Sequence, residues 1–560
     1  MRDPVIASIV SSGLWIILLF CPGIPSAALP WIPWLAWAAV SALSSEQPWK
    51  GLYPLARWSG VLLFFALARG LWEERERRWW FWGLCAAGAV LGLSGLYTGW
   101  ENLKRGGGEN MYGLIPPYYN YTAFVEAALA ASLIAALAHP RGPKKGRRLA
   151  GFALLGLMLL LITLSRSRGA LLAVAASAAL LWLRRWDWRR LAAGLTAFAA
   201  AVALGTGLMM ILQGASPAYL LKLDRVFTRP QLWVSAISAA GDHPWLGEGL
   251  GNFGAAFLRH NFPYGSGFAR YQLVSHHAHS EPLQLAVETG WIGLFLFLAA
   301  LYYSRPKPAS GYLSESAWAA WAAMSLQCLV DNMLHLPALA FLYFAALACA
   351  RPEPGRTWLG RPFWSKAVAL SGLSLCLAST LPERLAGRHL DRAAKEFDPG
   401  AKAEHLSRAL EIFPLDAGAR EDLSRVYLSL DRLDLALSEI GKAISLSPTN
   451  AVLRCLRADV LRLLERGPES LEAAEQALTL EPYYLRARLL KAEALARSGE
   501  RQAAIAESSR ALGYRSEIEA LTLASGYARA LADWDEGFYE SVKRLTEPRR
   551  QGFRRRLRKP

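Results

Sequence analysis

The chain has 560 residues, which is too many for one compact domain, and 53% of them are hydrophobic. Its formal net charge of +17 raises the question of nucleic acid, but much of the excess lies in short loops between apolar runs, where Lys and Arg set membrane topology. No basic stripe with base-stacking aromatic residues appears outside the apolar part, so nucleic acid is not an expected partner. The six cysteines show no CxxC spacing, which argues against a disulfide framework and a zinc site.

Long apolar runs within residues 1–381 predict a polytopic bundle of membrane helices. A hydrocarbon core of about 30 Å requires roughly 20 apolar residues in a helix. Candidate spans occur at 5–20, 29–44, 53–70, 79–99, 120–138, 149–165, 169–183, 191–212, 283–303, 317–333, 335–350 and 364–381. Several spans are short, and 317–350 can also form one broken hairpin, so the expected total is 11 or 12. The lipid bilayer is therefore an expected partner.

Basic residues in the loops between these runs predict the orientation of the bundle. Four short loops are rich in Lys and Arg and are mutually compatible as cytoplasmic: 73–78, 141–148, 184–190 and 304–308. The central loop 213–282 and the chain beyond residue 381 then lie on the opposite side. We therefore predict a membrane domain over 1–381 whose central loop is extracytoplasmic, and a C-terminal part on the same side as that loop.

A 34-residue period predicts a second, helical domain at 382–545, followed by a basic tail at 546–560. Pro414, Pro448 and Pro482 are spaced by 34 residues, the period of the tetratricopeptide repeat. Three series of small residues share this period: Ser424, Ala458 and Ala492; Ala436, Ser470 and Ala504; and Ala409, Ala443, Ala477 and Ala511. Small residues at these points let the two helices of a unit cross closely, and proline ends the second helix.

These repeats predict an α-solenoid, and with the membrane helices they make the predicted fold class all-α. The tryptophan of the repeat family is absent, and Arg420, Arg454 and Arg488 stand in its place. Residues 383–408 and 512–545 are predicted to add capping helices. Stacked helix pairs present a concave surface, so we expect this domain to bind a protein partner and not to catalyse.

The stretch from Arg225 to Gly293 is the longest interruption of the apolar pattern, and it carries five of the nine histidines. His276, His277 and His279 have a spacing that can chelate zinc, but no Cys or Glu completes the ligand set. A metal site is therefore not expected. Histidine is well suited to general acid–base catalysis, and His279 is the best-placed candidate because a membrane helix begins just after it.

Three arginines are candidate ligands for phosphate, because a planar guanidinium binds phosphate oxygens in pairs. Arg168 lies between two apolar runs, where a snorkelling side chain is the alternative. Arg225 and Arg229 are four residues apart and share a face if this stretch is helical; the alternative is an amphipathic helix on the bilayer. Glu288 and Asp331 lie in or near apolar runs, where polar residues are costly and either support a site or pair between helices.

Three of these segments together resemble the O-antigen ligase and polymerase superfamily. The first is SRSRGALLA at 165–173, and the second is RPQLWVSAISAAGDHPWLGEGLGNF at 229–253. The third joins His279 and Ser280 to the Gly-Trp-Ile-Gly at 290–293. LVDNMLHLP at 329–337 also resembles a late membrane segment of members that carry repeats. The likeness covers about residues 30–350.

The resemblance implies a transferase that moves a glycan from undecaprenyl diphosphate to an acceptor hydroxyl at the outer face of a bacterial inner membrane. It implies an inverting reaction that needs neither metal nor cofactor. Carried over to this sequence, Arg168 and Arg229 hold the lipid diphosphate, and His279 acts as the general base on the acceptor hydroxyl. Apart from the resemblance, Arg225 is a further candidate ligand of the diphosphate, and Glu288 and Asp331 are candidates for support of the site.

The repeat tail departs from simple ligases, so the acceptor stays open: it is lipid-linked, a glycan or a protein. A polysaccharide polymerase and a protein O-oligosaccharyltransferase of the same superfamily are the alternative enzymes. The non-enzymatic alternative is a membrane-anchored repeat scaffold or a transporter. A transporter is expected to show inverted repeats and broken helices, and the sequence has no such internal symmetry.

Overall fold

The computed structural model describes residues 24–104, 120–165, 167–185, 228–260, 275–306, 311–351, 357–359, 362–518 and 526–546, with a few single helical residues near 12–16 and 192–203. The chain divides into two compact units. The first comprises residues 1–256 and 276–380, and the second comprises 257–275 and 381–560. The two units are described separately.

The first unit is built from helices. They are α1 (Ile32–Leu43), α2 (Leu52–Leu71), α3 (Glu74–Lys104), α4 (Asn120–Ala138), α5 (Lys145–Leu164), α6 (Arg168–Arg185), α7 (Thr228–Asp242), the start of α8 (Phe253–Arg259), α9 (Glu281–Ser304), α10 (Tyr312–Cys328), α11 (Pro337–Ala350) and the first part of α12 (Pro362–Lys395). Short 3₁₀ helices occur at Ser26–Trp31, Pro48–Gly51 and Met333–His335. Ile24–Pro25 pairs antiparallel with Thr357–Leu359.

Many of these helices are apolar along most of their length. Within the described residues, five segments are long and apolar enough to cross a membrane: Ser26–Leu43, Pro48–Leu71, Glu74–Thr98, Lys145–Leu164 and Glu281–Ser304. Three shorter apolar helices accompany them: Ala123–Ala138, Arg168–Leu181 and Pro337–Ala350. The prediction of an all-α, multi-pass membrane bundle is confirmed. The predicted spans 5–20 and 191–212 lie largely outside the described residues, so the total of 11 or 12 stays a prediction.

One predicted span ends earlier than expected. Residues 317–333 were predicted to be one apolar helix, but α10 ends at Cys328. Residues 329–336 form a turn that contains the 3₁₀ helix Met333–His335, and α11 follows it. We call these residues the 329–336 turn. Two helices joined by this turn form the broken hairpin that was the alternative for 317–350.

Tryptophan and phenylalanine side chains form the centre of the first unit. Trp34 packs edge-to-face against Trp58 and Phe297, with ring centroids 5.1 and 5.3 Å apart. Trp31 meets Phe344 at 5.2 Å in the same way. Such pairs contribute about 0.5–1.5 kcal/mol each beyond the burial of their area. They tie α9 beyond its break and the middle of α11 to α1, α2 and the preceding 3₁₀ helix.

Helix α9 is interrupted at Gly290, whose φ of 69° and ψ of 176° are not helical. The interruption leaves carbonyl groups of the preceding turn without their usual partners within the helix. The backbone N–H of Glu248 donates to the carbonyl of Val287 at 2.8 Å, and that of Gly249 donates to the carbonyl of Glu288 at 3.0 Å. The glycine-rich turn at 244–252 therefore takes the place of the missing helical hydrogen bonds.

The fit between this turn and α9 leaves no room for a side chain at position 290. A methyl group added to Gly290 would lie 2.0 Å from the carbonyl oxygen of Trp245. A positive φ is also strained for any residue with a Cβ atom. On the other side, Trp37 Nε1 donates to the carbonyl of Thr289 at 2.9 Å. The second and third sequence motifs thus fold into one interlocked structure.

The second unit consists of paired helices that follow the 34-residue period. After the end of α12 come α13 (Pro399–Ile412), α14 (Ala417–Ser429), α15 (Leu433–Leu446), α16 (Ala451–Leu463), α17 (Gly467–Leu480), α18 (Leu485–Ser498), α19 (Arg501–Ile518), α20 (Gly526–Leu531) and α21 (Glu536–Thr546). The small residues of the predicted series are fully buried where helices cross: Ala436, Ala443, Ala458, Ala477, Ala492, Ala504 and Ala511. The predicted tetratricopeptide repeats are confirmed.

The arginines that replace the repeat tryptophan have a common structural role. Each donates to the carbonyl oxygen of the proline six residues earlier and to a side chain on the second helix of its own unit. The sets are Arg420 with Pro414 and Glu439, Arg454 with Pro448 and Gln476, and Arg488 with Pro482 and Glu507. These hydrogen bonds tie the turn before each first helix to the second helix of the same unit. They take the structural place of the packing that an apolar ring would provide.

Candidate functional site

His279 and Asp331 meet in the first unit, although they are 52 residues apart in the chain. His279 lies just before α9, and its Nδ1 is 3.1 Å from Oδ1 of Asp331 in the 329–336 turn. A carboxylate at Nδ1 holds the proton there and leaves Nε2 as the basic nitrogen. Within the described part of the chain, Nε2 makes no hydrogen bond, and the side chain is 39% exposed. The pair therefore presents a base to the surroundings.

Helix α7 holds this pair through two residues that are one helical turn apart. Trp233 Nε1 donates to the carbonyl oxygen of His279 at 3.3 Å, and Arg229 binds Asp331. The backbone of His279 has a φ of 49°, which is uncommon for a residue other than glycine. The Arg-x3-Trp spacing is explained by these contacts, because each of its two named residues secures one member of the pair.

Arg229 bridges the backbone and the side chain of the 329–336 turn. Its Nη1 donates to the carbonyl of Val330 at 2.6 Å, and its Nη2 donates to Oδ2 of Asp331 at 3.0 Å. Burial alone would raise the pKa of Asp331, but the hydrogen bond from His279 and the charge of Arg229 lower that pKa overall. Asp331 is therefore a carboxylate at neutral pH.

The start of α6 lies against the same turn. Arg168 is the first residue of α6, and a methyl group added to Gly169 would lie 3.6 Å from Val330 Cγ2. The N-terminal end of a helix carries partial positive charge and attracts anions. Arg168 is thus placed next to the turn that holds Asp331. Arg225, the third arginine of the prediction, lies outside the described residues.

A second polar group anchors the other end of the 329–336 turn. Glu281 Oε1 accepts from the backbone N–H of Leu334 at 2.6 Å, and Glu281 Oε2 is 3.3 Å from His335 Nδ1. The guanidinium of Arg57 donates to the carbonyl of His335. Glu288 lies 4.0 Å from His335 Nε2 and accepts from Gln284. Of the two carboxylates predicted in support, Asp331 contacts His279 directly, and Glu288 contacts His335 instead.

The sequence analysis missed Arg57 and Glu281 as parts of the site. A usable signal existed for Arg57, because it is a charged residue inside the apolar run 53–70, and such residues rarely occur without a partner or a role. Arg57 is 6% exposed. Its partner, however, is the carbonyl of a residue 278 positions away, which no local pattern identifies.

The neighbouring histidines have different surroundings. His276 is exposed, whereas the His277 ring packs against that of His335 with centroids 4.9 Å apart. Burial lowers the pKa of His277 to about 3, so its ring is neutral and a weak base at physiological pH. Within the described residues, no group of three or more His, Cys, Asp and Glu side chains is arranged to hold a metal ion. Among the contacts of the described residues, His279 is the one of these three histidines that combines exposure with a carboxylate partner.

Residues 151–298 match a family model described as O-antigen ligase. This range contains Arg168, the Arg229–Trp233 pair, the glycine-rich turn and His279. No curated protein matches the chain.

Among solved structures, the chain is similar to a crystal structure of MamA, with 18% identity over 29% of this chain and 92% of that one, and a TM-score of 0.23. It is also similar to YrrB, described as a tetratricopeptide-repeat protein with an unusual peptide-binding site, with 16% identity over 29% of this chain and 90% of that one, and a TM-score of 0.21. Residues 151–298 thus match the O-antigen ligase family, in a chain whose first unit has several helices long and apolar enough to cross a membrane and whose second unit has helices with the period of tetratricopeptide repeats.

Proposed function

We propose that the chain transfers a glycan from undecaprenyl diphosphate to an acceptor hydroxyl, with inversion at the anomeric carbon and without a metal ion. The observation that carries the proposal is the contact between His279 Nδ1 and Asp331. It leaves Nε2 available to take a proton, in a domain of the O-antigen ligase family. The same contact places the Asp331 carboxylate beside the imidazolium that forms when Nε2 takes the proton.

His279, the acceptor hydroxyl and the lipid-linked donor together account for every bond formed and broken in this reaction. The acceptor hydroxyl gives its proton to His279 Nε2 as its oxygen attacks the anomeric carbon. The bond between that carbon and the diphosphate oxygen breaks, and undecaprenyl diphosphate leaves with the electron pair. Attack from the side opposite the leaving group inverts the anomeric carbon. Charge grows on the leaving diphosphate, so cations held in advance near it accelerate the step.

Arg229 and Arg168 supply that positive charge, with Arg225 as the third arginine of the proposal. A guanidinium has five N–H donors, and contacts within the described residues use only two of those of Arg229. Its side chain is 38% exposed, so it can bind an anion without leaving Asp331. Arg168 and the start of α6 add a second cation and the partial charge of a helix end.

The repeat domain favours one alternative acceptor over the others. A solenoid of helix pairs binds peptide segments on its concave face, so a protein hydroxyl is the second candidate after a lipid-linked glycan. A polymerase would use a second glycan repeat as its acceptor. Glu288 supports the site indirectly in each case, because its contact is with His335.

The direct test is transfer by the purified protein. The purified chain is reconstituted in lipid nanodiscs and incubated with undecaprenyl-diphosphate oligosaccharide as the donor. Parallel reactions contain a lipid-linked core, a second glycan repeat or an acceptor protein. We expect release of undecaprenyl diphosphate together with one glycosylated product, unchanged by EDTA. Failure with every acceptor class would favour the scaffold or transporter alternative, and loss of activity in EDTA would contradict the metal-free mechanism.

We also propose that the central loop and the repeat domain face outward from a bacterial inner membrane, as the four basic loops predict. Single cysteines at Ser266 and Ser447, in a background without the native six, are then expected to react with an impermeant maleimide in intact spheroplasts. Lys144→Cys, in the basic loop 141–148, is the matched control and should react only after permeabilisation. Labelling of Ser266→Cys or Ser447→Cys only after permeabilisation would overturn the orientation.

A further inference from the structure

The first helices of the repeats carry a row of charged side chains. Arg425, Asp459 and Glu493 are 34 residues apart and occupy the same position in α14, α16 and α18. Asp459 Oδ1 accepts from Arg462 at 2.8 Å, and its Oδ2 accepts from Arg486 Nη2 at 2.8 Å. These side chains are at most 23% exposed in these pairs. Asp459 therefore holds the guanidinium groups of Arg462 and Arg486 in place. We call the surface formed by Arg425, Arg462 and Arg486 the inner arginine face.

The C-terminal segment of the chain lies on this face. The Phe538 ring is centred 4.0 Å from Arg486 Cζ and 5.2 Å from Arg462 Cζ. Arg486 Nη1 also donates to Asp535 Oδ2 at 3.0 Å. An aromatic ring attracts a guanidinium that lies over its face, and the attraction grows as water is excluded. Arg486 thus recognises a carboxylate and an aromatic ring that are three residues apart.

Apolar contacts extend this recognition towards α16. Ala528 and Leu531 of α20 are fully buried and pack in one cluster with Val452 and Cys455 of α16. A further repeat unit would contact only its neighbour in the array, whereas α20 reaches α16, the first helix of the unit before the last. Residues 512–545 were predicted to add capping helices, and α21 does pack against α18 and α19 of the last unit, while Asp535 and Phe538 also contact the inner arginine face.

The segment leaves part of the same row open. Arg425, the counterpart of Asp459 in the preceding unit, lines a cavity of about 400 Å³ together with Glu396, Phe397, Lys402, Asp422 and Ser429. Phe397 is 97% exposed at its rim. An extended peptide that covered both Arg486 and this cavity would make contacts that residues 526–546 do not make.

We propose that the inner arginine face is a binding site for a partner protein segment that carries an acidic residue followed three residues later by an aromatic one. Residues 526–546 occupy the site as an intramolecular mimic, so a partner binds only by displacing them. A short tether gives the mimic an effective concentration on the order of millimolar. Only a partner with additional contacts, such as the open cavity beside Arg425, competes efficiently.

The test uses the full chain in nanodiscs and a fluorescein-labelled peptide with the sequence of residues 526–546, followed by fluorescence anisotropy. Asp535→Lys combined with Phe538→Ala weakens the mimic, and we expect the labelled peptide to bind this double variant at least tenfold more tightly than the unaltered chain. Adding Arg486→Ala should abolish that gain. Arg408→Ala, at an exposed arginine of α13, is the matched control and should preserve it. A scrambled peptide should bind neither form.

Two results would overturn the proposal. Equal peptide binding to the unaltered chain and to the double variant would mean that residues 526–546 do not block the face. A gain that survives Arg486→Ala would mean that the peptide binds elsewhere. A thermal scan of each variant distinguishes a structural role: if the double variant loses stability in the repeat domain and gains no peptide binding, the segment is a cap and not a mimic.

Discussion

His279→Ala is expected to lower the transfer rate by about 10²- to 10⁴-fold, the range that acid–base assistance contributes. The donor affinity should change little, because His279 meets the acceptor and not the diphosphate. The measurement is the initial rate of product formation together with donor binding to the purified variant. Asp331→Asn should also slow transfer, because an amide cannot hold the Nδ1 proton and oppose the imidazolium as a carboxylate does. A shifted pH–rate profile in Asp331→Asn would mark its role as positioning.

The neighbouring histidines provide the controls for this result. His276→Ala should retain the transfer rate, since His276 is exposed. His277→Ala should disturb packing against His335 more than it lowers the transfer rate. Full activity in His279→Ala would remove the base assignment. An equal loss at all three positions that added zinc restores would instead support a metal site formed by the histidines.

Arg229→Ala is expected to weaken donor binding and slow transfer together. A hydrogen bond to a charged group contributes about 1.5–3 kcal/mol, so the donor affinity should fall by roughly 10- to 100-fold. The rate should fall further, because Asp331 also loses the partner that holds it beside His279. Arg229→Lys should restore only part of the loss, since one ammonium group cannot bridge Asp331 and the carbonyl of Val330 at once.

Arg168→Ala separates the effect on donor binding from the effect on the His279–Asp331 pair. Arg168 lies beside the 329–336 turn, so its loss should weaken donor binding while the pH–rate profile set by His279 and Asp331 stays unchanged. Arg305→Ala is the matched control, since Arg305 is an exposed arginine at the end of α9 in a loop predicted to be cytoplasmic. Donor affinity and kcat/KM are measured for each variant after folding is verified. Unaltered donor affinity in both Arg168→Ala and Arg229→Ala would contradict the diphosphate assignment.

Periodic patterns carried most of the fold prediction. The 34-residue spacing of prolines and small residues identified the repeat helices because each unit repeats the same local packing. Apolar runs identified the membrane helices for the same reason. The end of α10 at Cys328 was not predictable in this way, because the residues that follow are largely apolar. Their turn is held by Glu281 and Arg57, which are distant in sequence.

Several residues of the candidate site stood out in the sequence, but the contacts between them did not. His279, Arg229 and Asp331 each stood out as polar residues at membrane boundaries. The sequence indicated Asp331 only as possible support, and its contacts with both His279 and Arg229 were not predictable because they depend on how α7, α9 and the 329–336 turn pack. The fold-back of Phe538 onto Arg486 had no local signal either. Long-range pairing of charged and aromatic side chains is a property of the assembled structure.

The interruption of α9 at Gly290 also constrains the number of residues between Glu281 and Thr289. The glycine-rich turn clasps α9 at the carbonyls of Val287 and Glu288, while His279 and Glu281 reach their partners from the opposite end of the same short helical segment. An α-helix turns about 100° per residue. One residue inserted or deleted between Glu281 and Thr289 would therefore swing His279 away from Asp331, or pull the turn out of the break. Substitutions in this segment leave the register intact, whereas a change in its length cannot.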